Sequence, residues 1–591
     1  MPKITINNTE IEVAHGTTIL EAAKQLNIKI PTLCHIDGCA PIGACRVCLV
    51  EVDGARDPVA SCSTPVTDGM KVKTNSKTAR SARKGVVELL LSEHDGDCQT
   101  CERGGDCELQ QLARDLGIRT VRFEGAKAEK VIDESTPALI RDSGKCISCR
   151  RCVTVCNEIQ GVGSIFPQGR GFKSNIGPAF TSNLDNVTCV QCGQCSAVCP
   201  VGAISEHDQI DEVWKALDDP DKHVVVQTAP AIRAALGESF ELPPGTLVTG
   251  KMVTALRQLG FNAVFDTNFA ADLTIMEEGT ELLTRLKKAL VDGDKSVALP
   301  MFTSCSPGWI NYAESFFPEI LPNISSCKSP QQMFGAVAKT YYADKIGVKP
   351  ENMVVVSIMP CTAKKYEAAR PEMTGSGVQD VDIVLTTREL GRMIKMAGID
   401  FESLPDQEMD SPLGLSTGAA DIFGNTGGVM EAALRTVYEI VTGQDFPFPH
   451  LHISPIAGLE GVKEASVKIE NTVPEWSFLK GVEVKVAVAH GLSNARKLIE
   501  KILKGEADYH FIEVMCCPGG CIGGGGQPRF TDNNVREARI SALYREDEGK
   551  KLRKSHKNPD IVKIYNEFLK KPLGHRSHEL LHTEYTSKTK V

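Results

Sequence analysis

The spacing of hydrophobic residues changes character along this chain at about residue 209. Before that point, residues 3–7 and 11–13 are short strand-like runs, and apolar residues recur at helical spacing over residues 18–26 and 80–91. Cysteine-rich loops separate these elements. The first third is therefore predicted to contain several small domains, with the cysteines marking where they lie.

Beyond residue 209, strand-like apolar runs alternate with helix-like stretches. Strands are predicted at residues 223–228, 263–266, 296–302, 353–359, 383–386, 482–489 and 509–514, and helices at residues 388–396 and 493–503. Such alternation favours a mainly parallel sheet covered on both faces. A tail at residues 560–582 has an apolar helical face followed by a basic stretch that is predicted to be irregular.

Composition indicates metal sites in a long chain. The 591 residues include 22 cysteines, sixteen before residue 200 and six after residue 300. A disulfide scaffold would be short, so clustered CxxC spacings favour metal. The net charge of −9 argues against nucleic acid, and no apolar run has the length of a membrane span. Because the start lacks a signal-peptide core, we expect a cytoplasmic protein without membrane contact.

Two sets of four soft donors come first. The set suited to a [2Fe–2S] cluster is Cys34, Cys45, Cys48 and Cys62. The next set is His94, Cys98, Cys101 and Cys107. An imidazole with three thiolates suits zinc and a [4Fe–4S] cluster equally well, so the spacing alone leaves both open.

An internal repeat follows, with the spacing of bacterial two-cluster ferredoxins. In that arrangement the fourth cysteine of each run binds the other cluster. One [4Fe–4S] cluster is therefore predicted on Cys146, Cys149, Cys152 and Cys199. The other is predicted on Cys189, Cys192, Cys195 and Cys156.

Three predicted strands of the second half, those that end near residues 302, 359 and 514, lead into cysteines. The thiols that follow them include Cys305, Cys361, Cys517 and Cys521. Ligands bind beyond the carboxyl ends of strands in open α/β sheets, so one shared metal site is expected. Glycines at 523–526 would let the backbone approach a bulky ligand.

These segments resemble the signature segments of the [FeFe] hydrogenases, TSCCPGW, MPCxxKxxE and ExMACxxGCxxGGGxP. Residues 359–367 match the second, and residues 513–528 match the third with Cys516 in place of alanine. The resemblance covers nearly the whole chain. It implies an H-cluster, which is a [4Fe–4S] cubane joined through a cysteine sulfur to a di-iron unit with CO, cyanide and a dithiolate. The implied cubane ligands are Cys361, Cys517 and Cys521, the last as the bridge.

The first signature departs from the family pattern. Its second cysteine, a cubane ligand in the family, is Ser306 here, while the thiol next to the distal iron is retained as Cys305. Serine is a poor ligand for iron–sulfur clusters compared with thiolate. Three alternatives stay open: Cys305 ligates the cubane, Ser306 ligates it, or an extra thiol (Cys327 or Cys516) contributes.

The resemblance also implies the surroundings of the di-iron unit. Its wall would contain Ala229, Pro230, Gln331, Met359, Phe423 and Met515, and Lys364 would donate to a cyanide. The implied proton route runs through Cys305, Glu278, Ser325 and Glu281, with Arg285 beyond. Glu278 and Glu281 are three residues apart and share a helix face; without the motif, a solvated face would be the better interpretation.

The predicted protein is multidomain, with four parts. A β-grasp [2Fe–2S] domain spans residues 1–78, and a small helical [4Fe–4S] domain with one-histidine/three-cysteine ligation spans residues 79–137. A bacterial two-[4Fe–4S] ferredoxin domain spans residues 138–208. An α/β catalytic domain with a wrapping tail spans residues 209–591. The first two resemble modules of hydrogenases and of the large iron–sulfur subunit of respiratory complex I.

The implied activity is reversible H2 oxidation and proton reduction, with electrons passing along the iron–sulfur clusters. Four cluster sites before the catalytic domain resemble the large subunit of multimeric NAD(P)-linked hydrogenases, electron-bifurcating ones included. Flavin, NAD(P) and a small [2Fe–2S] domain are expected on partner subunits, with ferredoxin as a further partner. The alternatives are an electron-transfer subunit related to complex I, and a non-catalytic iron–sulfur sensor or assembly factor.

Overall fold

The computed structural model describes residues 1–124, 127, 129–294, 296–447, 461–529 and 531–588. Its strands are β1 (Lys3–Ile6), β2 (Thr9–Glu12), β3 (Leu49–Val52), β4 (Val59–Ala60), β5 (Lys71–Lys73), β6 (Ile132–Asp133), β7 (Leu139–Asp142), β8 (Phe166–Gln168), β9 (Asn175–Gly177), β10 (Ile204–Glu206), β11 (His223–Thr228), β12 (Ala263–Asp266), β13 (Met301–Phe302), β14 (Met353–Met359), β15 (Ile383–Thr386), β16 (Val462–Lys468), β17 (Glu483–His490) and β18 (Phe511–Met515). Its α-helices are α1 (Ile19–Gln25), α2 (Lys77–Glu93), α3 (Glu108–Asp115), α4 (Arg151–Thr154), α5 (Gln194–Val198), α6 (Ile210–Asp218), α7 (Thr249–Gln258), α8 (Thr267–Leu290), α9 (Pro307–Phe316), α10 (Pro330–Val337), α11 (Ala343–Ile346), α12 (Ala363–Ala368), α13 (Thr387–Met396), α14 (Gly418–Asp421), α15 (Gly428–Thr442), α16 (Leu492–Leu503), α17 (Asn533–Gly549), α18 (Pro559–Ile564) and α19 (His575–Leu581).

The N-terminal sheet has the strand order β2-β1-β5-β3-β4. β1 pairs antiparallel with β2 and parallel with β5. Its alternate residues Ile4 and Ile6 are buried, as the two-residue period of a strand requires. α1 begins with a capping box between Thr18 and Glu21, and its apolar residues join the same core.

The cysteine-rich region between this sheet and β11 shares one hydrophobic core. That core joins α2 and α3 to the antiparallel sheet β10-β7-β6. β6 lies within the predicted second domain, yet it pairs with β7 of the predicted third domain. The two small domains therefore share a sheet across the predicted boundary.

The described part of the second half contains two four-stranded sheets, a number that the apolar pattern did not specify. The first, β12-β11-β14-β15, is entirely parallel, and its strands are almost wholly buried. The second has the order β13-β18-β17-β16, with β16 as an antiparallel edge. Parallel strands buried on both faces give the continuous apolar runs seen in the sequence.

The strand predicted at residues 296–302 is reduced to Met301–Phe302. Asp294 accepts hydrogen bonds from the backbone N–H and the hydroxyl of Ser296, at 2.9 and 2.6 Å, which turns the chain there. Pro300 has no N–H to donate to a neighbouring strand. The strand predicted from the apolar run is therefore five residues longer than the strand that forms.

The C-terminal tail lies against the catalytic region. α18 buries Ile561 and Ile564, as the apolar face predicted. The prediction of an irregular stretch after this face is wrong in part, because α19 forms there and buries its leucines. Beyond α19, the Thr583 N–H donates to the Ser326 carbonyl at 2.8 Å. The tail thus covers the loop that carries Ser325.

Candidate active site

The ends of β13, β14 and β18 open onto one cavity of about 760 Å³, which lies between the two sheets. The predicted wall residues that line it are Ala229, Pro230, Gln331, Met359, Phe423 and Met515. The thiol-bearing residues that line it are Cys305, Cys361, Cys516, Cys517 and Cys521. Sequence segments more than two hundred residues apart therefore meet here, as the strand-end argument predicted.

Tight turns bring the cavity residues together. Pro307 begins α9, where a missing N–H costs nothing. A Cβ on Gly308 would lie 2.7 Å from the Cys516 sulfur, so only glycine lets the first turn of α9 approach the end of β18. Gly520 has φ +93°, and a Cβ there would lie 2.6 Å from the Thr426 nitrogen.

We call Cys361, Cys516, Cys517 and Cys521 the sulfur side of the cavity. Burial raises the pKa of Cys521 to about 12 and places that of Cys361 well above its usual range. Hydrogen bonds of the Cys516 thiol to Cys192 and Cys517 raise the pKa of Cys516, and the Cys516 contact lowers that of Cys517. Metal binding at these sites must therefore release thiol protons.

We call Cys305, Glu278, Ser325, Glu281 and Arg285 the carboxylate side. The Ser325 hydroxyl donates to Glu281 Oε2 at 2.8 Å, and Arg285 donates to Glu281 Oε1 from Nη2 and Nε at 2.7 and 3.1 Å. Among the described residues, neither oxygen of the buried Glu278 carboxylate has a hydrogen-bond partner. Burial, with the Glu281 charge next, raises the pKa of Glu278 to about 8.

Cys305 lies between these carboxylates and the sulfur side. Burial raises the pKa of its thiol, and Glu278 is the charged group that raises it most. The Lys364 ammonium donates to the Cys305 carbonyl at 3.2 Å and to Glu367 Oε2 at 2.9 Å. Gln331 also donates to Glu367, at 3.1 Å. The second signature segment is thereby fixed to the first.

The structure places Cys327, one of the two extra thiols considered from the sequence, on the carboxylate side, with its sulfur 3.9 Å from Glu281 Oε2. It also adds a residue that the sequence did not single out. His582 of the tail contacts the Ser326 hydroxyl through Nδ1 at 2.8 Å and Glu277 through Nε2 at 3.2 Å. No local motif marks His582, because its partners are more than 250 residues away along the chain.

The first predicted cluster set converges in the N-terminal region. Cys48 and Cys62 sulfurs are 3.4 Å apart. Hydrogen bonds from Cys45 and Cys62 lower the pKa of Cys34. All four thiols of the set are buried.

The second predicted set begins with His94. Its Nδ1 lies 3.0 Å from the Lys145 carbonyl, which orients the ring and leaves Nε2 for a metal. Burial lowers the pKa of His94, which favours the neutral ring that binds metal. A Cβ on Gly104 would lie 2.6 Å from the Cys98 carbonyl, so the loop carrying Cys98 and Cys101 is closely wound.

The repeat encloses two cavities, each with four thiols. One, of about 410 Å³, is lined by Cys146, Cys149, Cys152 and Cys199. The other, of about 500 Å³, is lined by Cys156, Cys189, Cys192 and Cys195. Each cavity thus takes its fourth thiol from the other half of the repeat.

The second loop of the repeat packs directly on the sulfur side. Thr362 donates to the Gln191 carbonyl at 2.8 Å, and Gln194 donates to the Gly523 carbonyl at 2.9 Å. A Cβ on Gly525 would lie 2.3 Å from the Cys192 carbonyl oxygen. The central cavity and the cavity of the repeat that Cys192 lines are therefore separated by little more than backbone.

The donors of the central cavity fit an iron–sulfur group. Five thiols line it, and among its described lining residues Lys364 is the one charged side chain. Magnesium and calcium need oxygen ligands, whereas thiolates select iron–sulfur clusters, zinc or copper(I). Five thiols exceed the four ligands that one zinc ion uses.

Comparison with known proteins decides the family. Residues 222–525 match the model described as iron only hydrogenase large subunit, C-terminal domain. Over 597 aligned residues that cover both chains fully, this chain is 53% identical to the NADP-reducing hydrogenase subunit HndD of Solidesulfovibrio fructosivorans. The chain belongs to the [FeFe] hydrogenases.

The other parts of this hydrogenase match models as well. Residues 2–77 match a 2Fe-2S iron-sulfur cluster binding domain, and residues 83–122 match the NADH-ubiquinone oxidoreductase-G iron-sulfur binding region. Residues 145–203 match a 4Fe-4S dicluster domain, and residues 533–588 match iron hydrogenase small subunit. The hydrogenase is therefore a multidomain protein with [2Fe–2S], [4Fe–4S] and catalytic parts.

Relatives and solved structures agree. The hydrogenase is 42% identical to iron hydrogenase 1 of Clostridium pasteurianum over 99% of this chain and all of that protein. A structure of the [FeFe]-hydrogenase HydA1 from Chlamydomonas reinhardtii matches 64% of this chain and 98% of its own, with 46% identity and a TM-score of 0.57. The hydrogenase is also 32% identical to protein NAR1 of Arabidopsis thaliana over 70% of this chain and 87% of that protein.

These matches make the protein an iron-only hydrogenase, an oxidoreductase acting on H2 through an iron–sulfur electron chain. They favour this function over the sensor and electron-carrier alternatives. In the described part of the chain, none of the helices combines the length and apolarity that a bilayer crossing requires.

Proposed function

We propose that this hydrogenase oxidises H2 reversibly at an H-cluster in the central cavity and exchanges electrons with NAD(P)H through partner subunits. The observation that carries the proposal is that the sulfur side of one cavity packs on the ferredoxin-like repeat, while Cys305 in the same cavity wall faces the buried Glu278. The hydrogen-bonded Ser325, Glu281 and Arg285 complete the carboxylate side behind that wall. When bound, the H-cluster supplies heterolytic cleavage of H2. The protein supplies ligation, water exclusion and separate routes for electrons and protons.

Cys361, Cys517 and Cys521 would hold the cubane, and the Cys521 sulfur would also bind the di-iron unit. Lys364 has three N–H donors, of which Glu367 and the Cys305 carbonyl take two. The third is available to a cyanide, as a charge-assisted hydrogen bond. The wall of Ala229, Pro230, Met359, Phe423 and Met515 would keep water from the reacting iron, with Gln331 beside it.

Protons would move along the carboxylate side. A carboxyl group with a pKa of about 8 can take and give a proton near neutral pH, which suits Glu278 to receive one from Cys305. Ser325 already donates to Glu281, so the outer part of the route is formed. Arg285 holds Glu281 in place by donating two hydrogen bonds to its Oε1. A bridging water or a rotation of Glu278 would complete the link to Ser325.

Electrons would pass through one [2Fe–2S] and three [4Fe–4S] clusters. The first would lie in a β-grasp domain at residues 1–78, and the second, with His94 as a ligand, at residues 79–137. The contact of His94 Nδ1 with the Lys145 carbonyl supports ligation there through Nε2. The repeat at residues 138–208 would hold the other two, and the one with Cys192 would be the last before the catalytic domain at residues 209–591.

Partner subunits would carry flavin, NAD(P) and a small [2Fe–2S] domain. The likeness to a subunit of an NADP-reducing hydrogenase supports this arrangement. Electron bifurcation with ferredoxin, and a place in the cytoplasm, complete the proposal. The clusters of this chain would lead to the H2 site, so partner subunits would be needed to carry electrons between these clusters and NAD(P).

Metal content and infrared spectra test this function. With all sites filled, we expect about 20 irons per chain, namely two, three sets of four, and six for the H-cluster. The matured protein should show infrared bands of iron-bound CO and cyanide and reduce a dye with H2. The same chain reconstituted with Fe²⁺ and sulfide alone is the matched control, with about 18 irons, no such bands and no H2 oxidation. About 14 irons after maturation, without CO and cyanide bands, would contradict the proposal.

A further inference from the structure

Positions 306 and 516 are neighbours in space, although 210 residues separate them. The Cys516 N–H donates to the Ser306 hydroxyl oxygen at 3.2 Å. Ser306 precedes α9, and Cys516 follows β18, so each side chain enters the cavity from a fixed element. The chain has serine at the one position and an additional thiol at the other.

The Cys516 thiol lies among the other thiols of the sulfur side. It is buried, it contacts Cys517, and its sulfur is 2.7 Å from where a Cβ on Gly308 would be. The charges of Cys517 and Cys521 both raise the pKa of Cys361. All four thiols line the same cavity.

Two further thiols lie towards the carboxylates. Glu278 is the charged group that acts most strongly on Cys305, ahead of Cys521, and the Cys327 sulfur lies 3.9 Å from Glu281. Cys192, which contacts Cys516, already belongs to a cavity with four thiols of its own. Cys516 is thus surplus to the repeat, while the cubane site has only three thiols assigned.

A [4Fe–4S] cluster is held by four thiolates, and hydroxyl oxygen is a hard donor that matches it poorly. Resting on the proposed H-cluster, we propose that Cys516, rather than Ser306 or Cys305, is the fourth cysteine ligand of the cubane. On binding, the Cys516 sulfur loses its proton and forms one Fe–S bond.

This assignment gives Ser306 a positioning role. Its hydroxyl accepts the backbone N–H of the ligand residue and fixes the turn after β18. Cys305 keeps a free thiol next to Glu278, as a proton relay requires. The fourth ligand also brings the cubane next to Cys192, on the side from which electrons would arrive.

The test uses the full-length chain reconstituted with Fe²⁺ and sulfide, without the di-iron unit. Iron content and electron paramagnetic resonance of the reduced clusters are measured for the parent and four variants. These are Cys516→Ala, Ser306→Ala, Cys305→Ala and the double variant Ser306→Cys with Cys516→Ala. We expect the parent to hold about 18 irons and Cys516→Ala about 14, with one cubane signal lost and the four N-terminal clusters unchanged.

Ser306→Ala and Cys305→Ala should both keep about 18 irons, because neither side chain is a ligand. The double variant should regain the lost cubane, since it restores a thiol at the cavity; regain also shows that Cys516→Ala does not simply unfold the site. Full iron in Cys516→Ala, or loss of the cubane in Ser306→Ala or Cys305→Ala, would overturn the assignment. A parent with only about 14 irons would instead refute the proposed H-cluster itself.

Discussion

The two sides of the cavity are built from different materials. On the sulfur side, four thiols meet backbone that is packed so closely that a Cβ on Gly525 would overlap the Cys192 carbonyl oxygen. On the carboxylate side, buried polar groups lie in series, and the Glu278 pKa is raised to about 8. The sulfur side presents soft donors and no titratable carboxylate among its described cavity-lining residues. The carboxylate side reaches the cavity wall only through Cys305, and its carboxylates and hydroxyl lie behind that thiol, outside the described lining.

This contrast follows from the different requirements of electron transfer and proton transfer. Electrons pass between clusters across short, well-packed gaps, so the repeat and the cavity share a boundary made of backbone and glycine. Protons move only between groups that can both donate and accept, at spacings of a hydrogen bond. A change on one side should therefore affect its own particle first and leave the other process intact.

The largest effect is expected on the carboxylate side. Glu278→Gln removes a group that can take a proton, and an amide cannot replace it. We expect H2 turnover to fall by about 10²–10⁴-fold, with unchanged infrared bands of the H-cluster. Dye-coupled H2 oxidation by the matured protein measures the fall, and infrared spectra of the same sample check cofactor loading.

Glu277→Gln is the matched control, on the same helix and equally buried. Glu277 faces the tail, where it accepts from the Tyr565 hydroxyl at 2.5 Å and the Leu573 N–H at 2.8 Å. Its replacement should reduce thermal stability and leave turnover per H-cluster close to that of the parent. Equal losses in both variants would mean that burial of charge, and not proton transfer, explains the Glu278 result.

The second prediction concerns the pKa of Glu278, which several groups shift in opposite directions. Burial raises it most, and the Glu281 charge raises it further. The Ser325 hydroxyl lowers it by its proximity, although its hydrogen bond goes to Glu281. Glu281→Gln should therefore lower the midpoint below about 8, and Ser325→Ala should raise it, each by less than the shift due to burial. Infrared absorption of the protonated carboxyl group, followed against pH, gives the midpoint.

The raised pKa of Glu278 also makes the free energy of unfolding depend on pH. A carboxyl group whose pKa is higher in the folded protein than its usual 4.5 retains a proton that the unfolded chain releases. The Glu278 contribution to the free energy of unfolding therefore falls as pH rises from about 4.5 to 8, by about 1.4 kcal/mol per pH unit at most.

The infrared titration can contradict these causes. Midpoints of the Glu278 carboxyl band that move in the same direction in Glu281→Gln and Ser325→Ala would do so. Glu278→Gln should show no carboxyl band at this midpoint.

From the sequence alone, the sulfur side and the N-terminal cluster sites can be predicted in more detail than the carboxylate side. Ligand sets such as Cys146, Cys149 and Cys152 are local, so their spacing is visible without a fold. The number of sheets was not predictable, because an apolar run fixes a strand but not its neighbours. The Ser325–Glu281 contact and the Ser326–His582 contact join segments far apart in the chain, and only tertiary packing brings them together.

The same limit applied to position 516. The sequence shows an additional cysteine and a missing one, yet it does not show that the Cys516 N–H reaches Ser306. The sequence therefore left three alternatives for the fourth ligand open, and the position of Cys516 beside Ser306 and Cys517 is what supports the proposed assignment.

The smallest effect is expected where the repeat meets the sulfur side. Gly193 has φ +69°, and a Cβ there would lie 2.4 Å from the Thr362 hydroxyl oxygen and 3.2 Å from Gly525 Cα. Gly193→Ala must therefore push the Cys192 loop away from the cavity, in addition to roughly 1–2 kcal/mol of backbone strain. We expect slower electron delivery to a dye, measured as H2-driven reduction, with H2/D2O exchange retained because exchange needs only the cavity and the carboxylate side.

Gly347→Ala separates the two causes. Gly347 has nearly the same φ, +70°, and has no heavy atom within 4 Å of the position of a Cβ. It should lose a similar free energy of unfolding while keeping both the exchange rate and the dye reduction rate of the parent. If the two variants behave alike, strain alone accounts for Gly193, and the close packing at the sulfur side is not what sets the electron rate. If Gly193→Ala loses exchange and dye reduction together, the two sides of the cavity do not act independently.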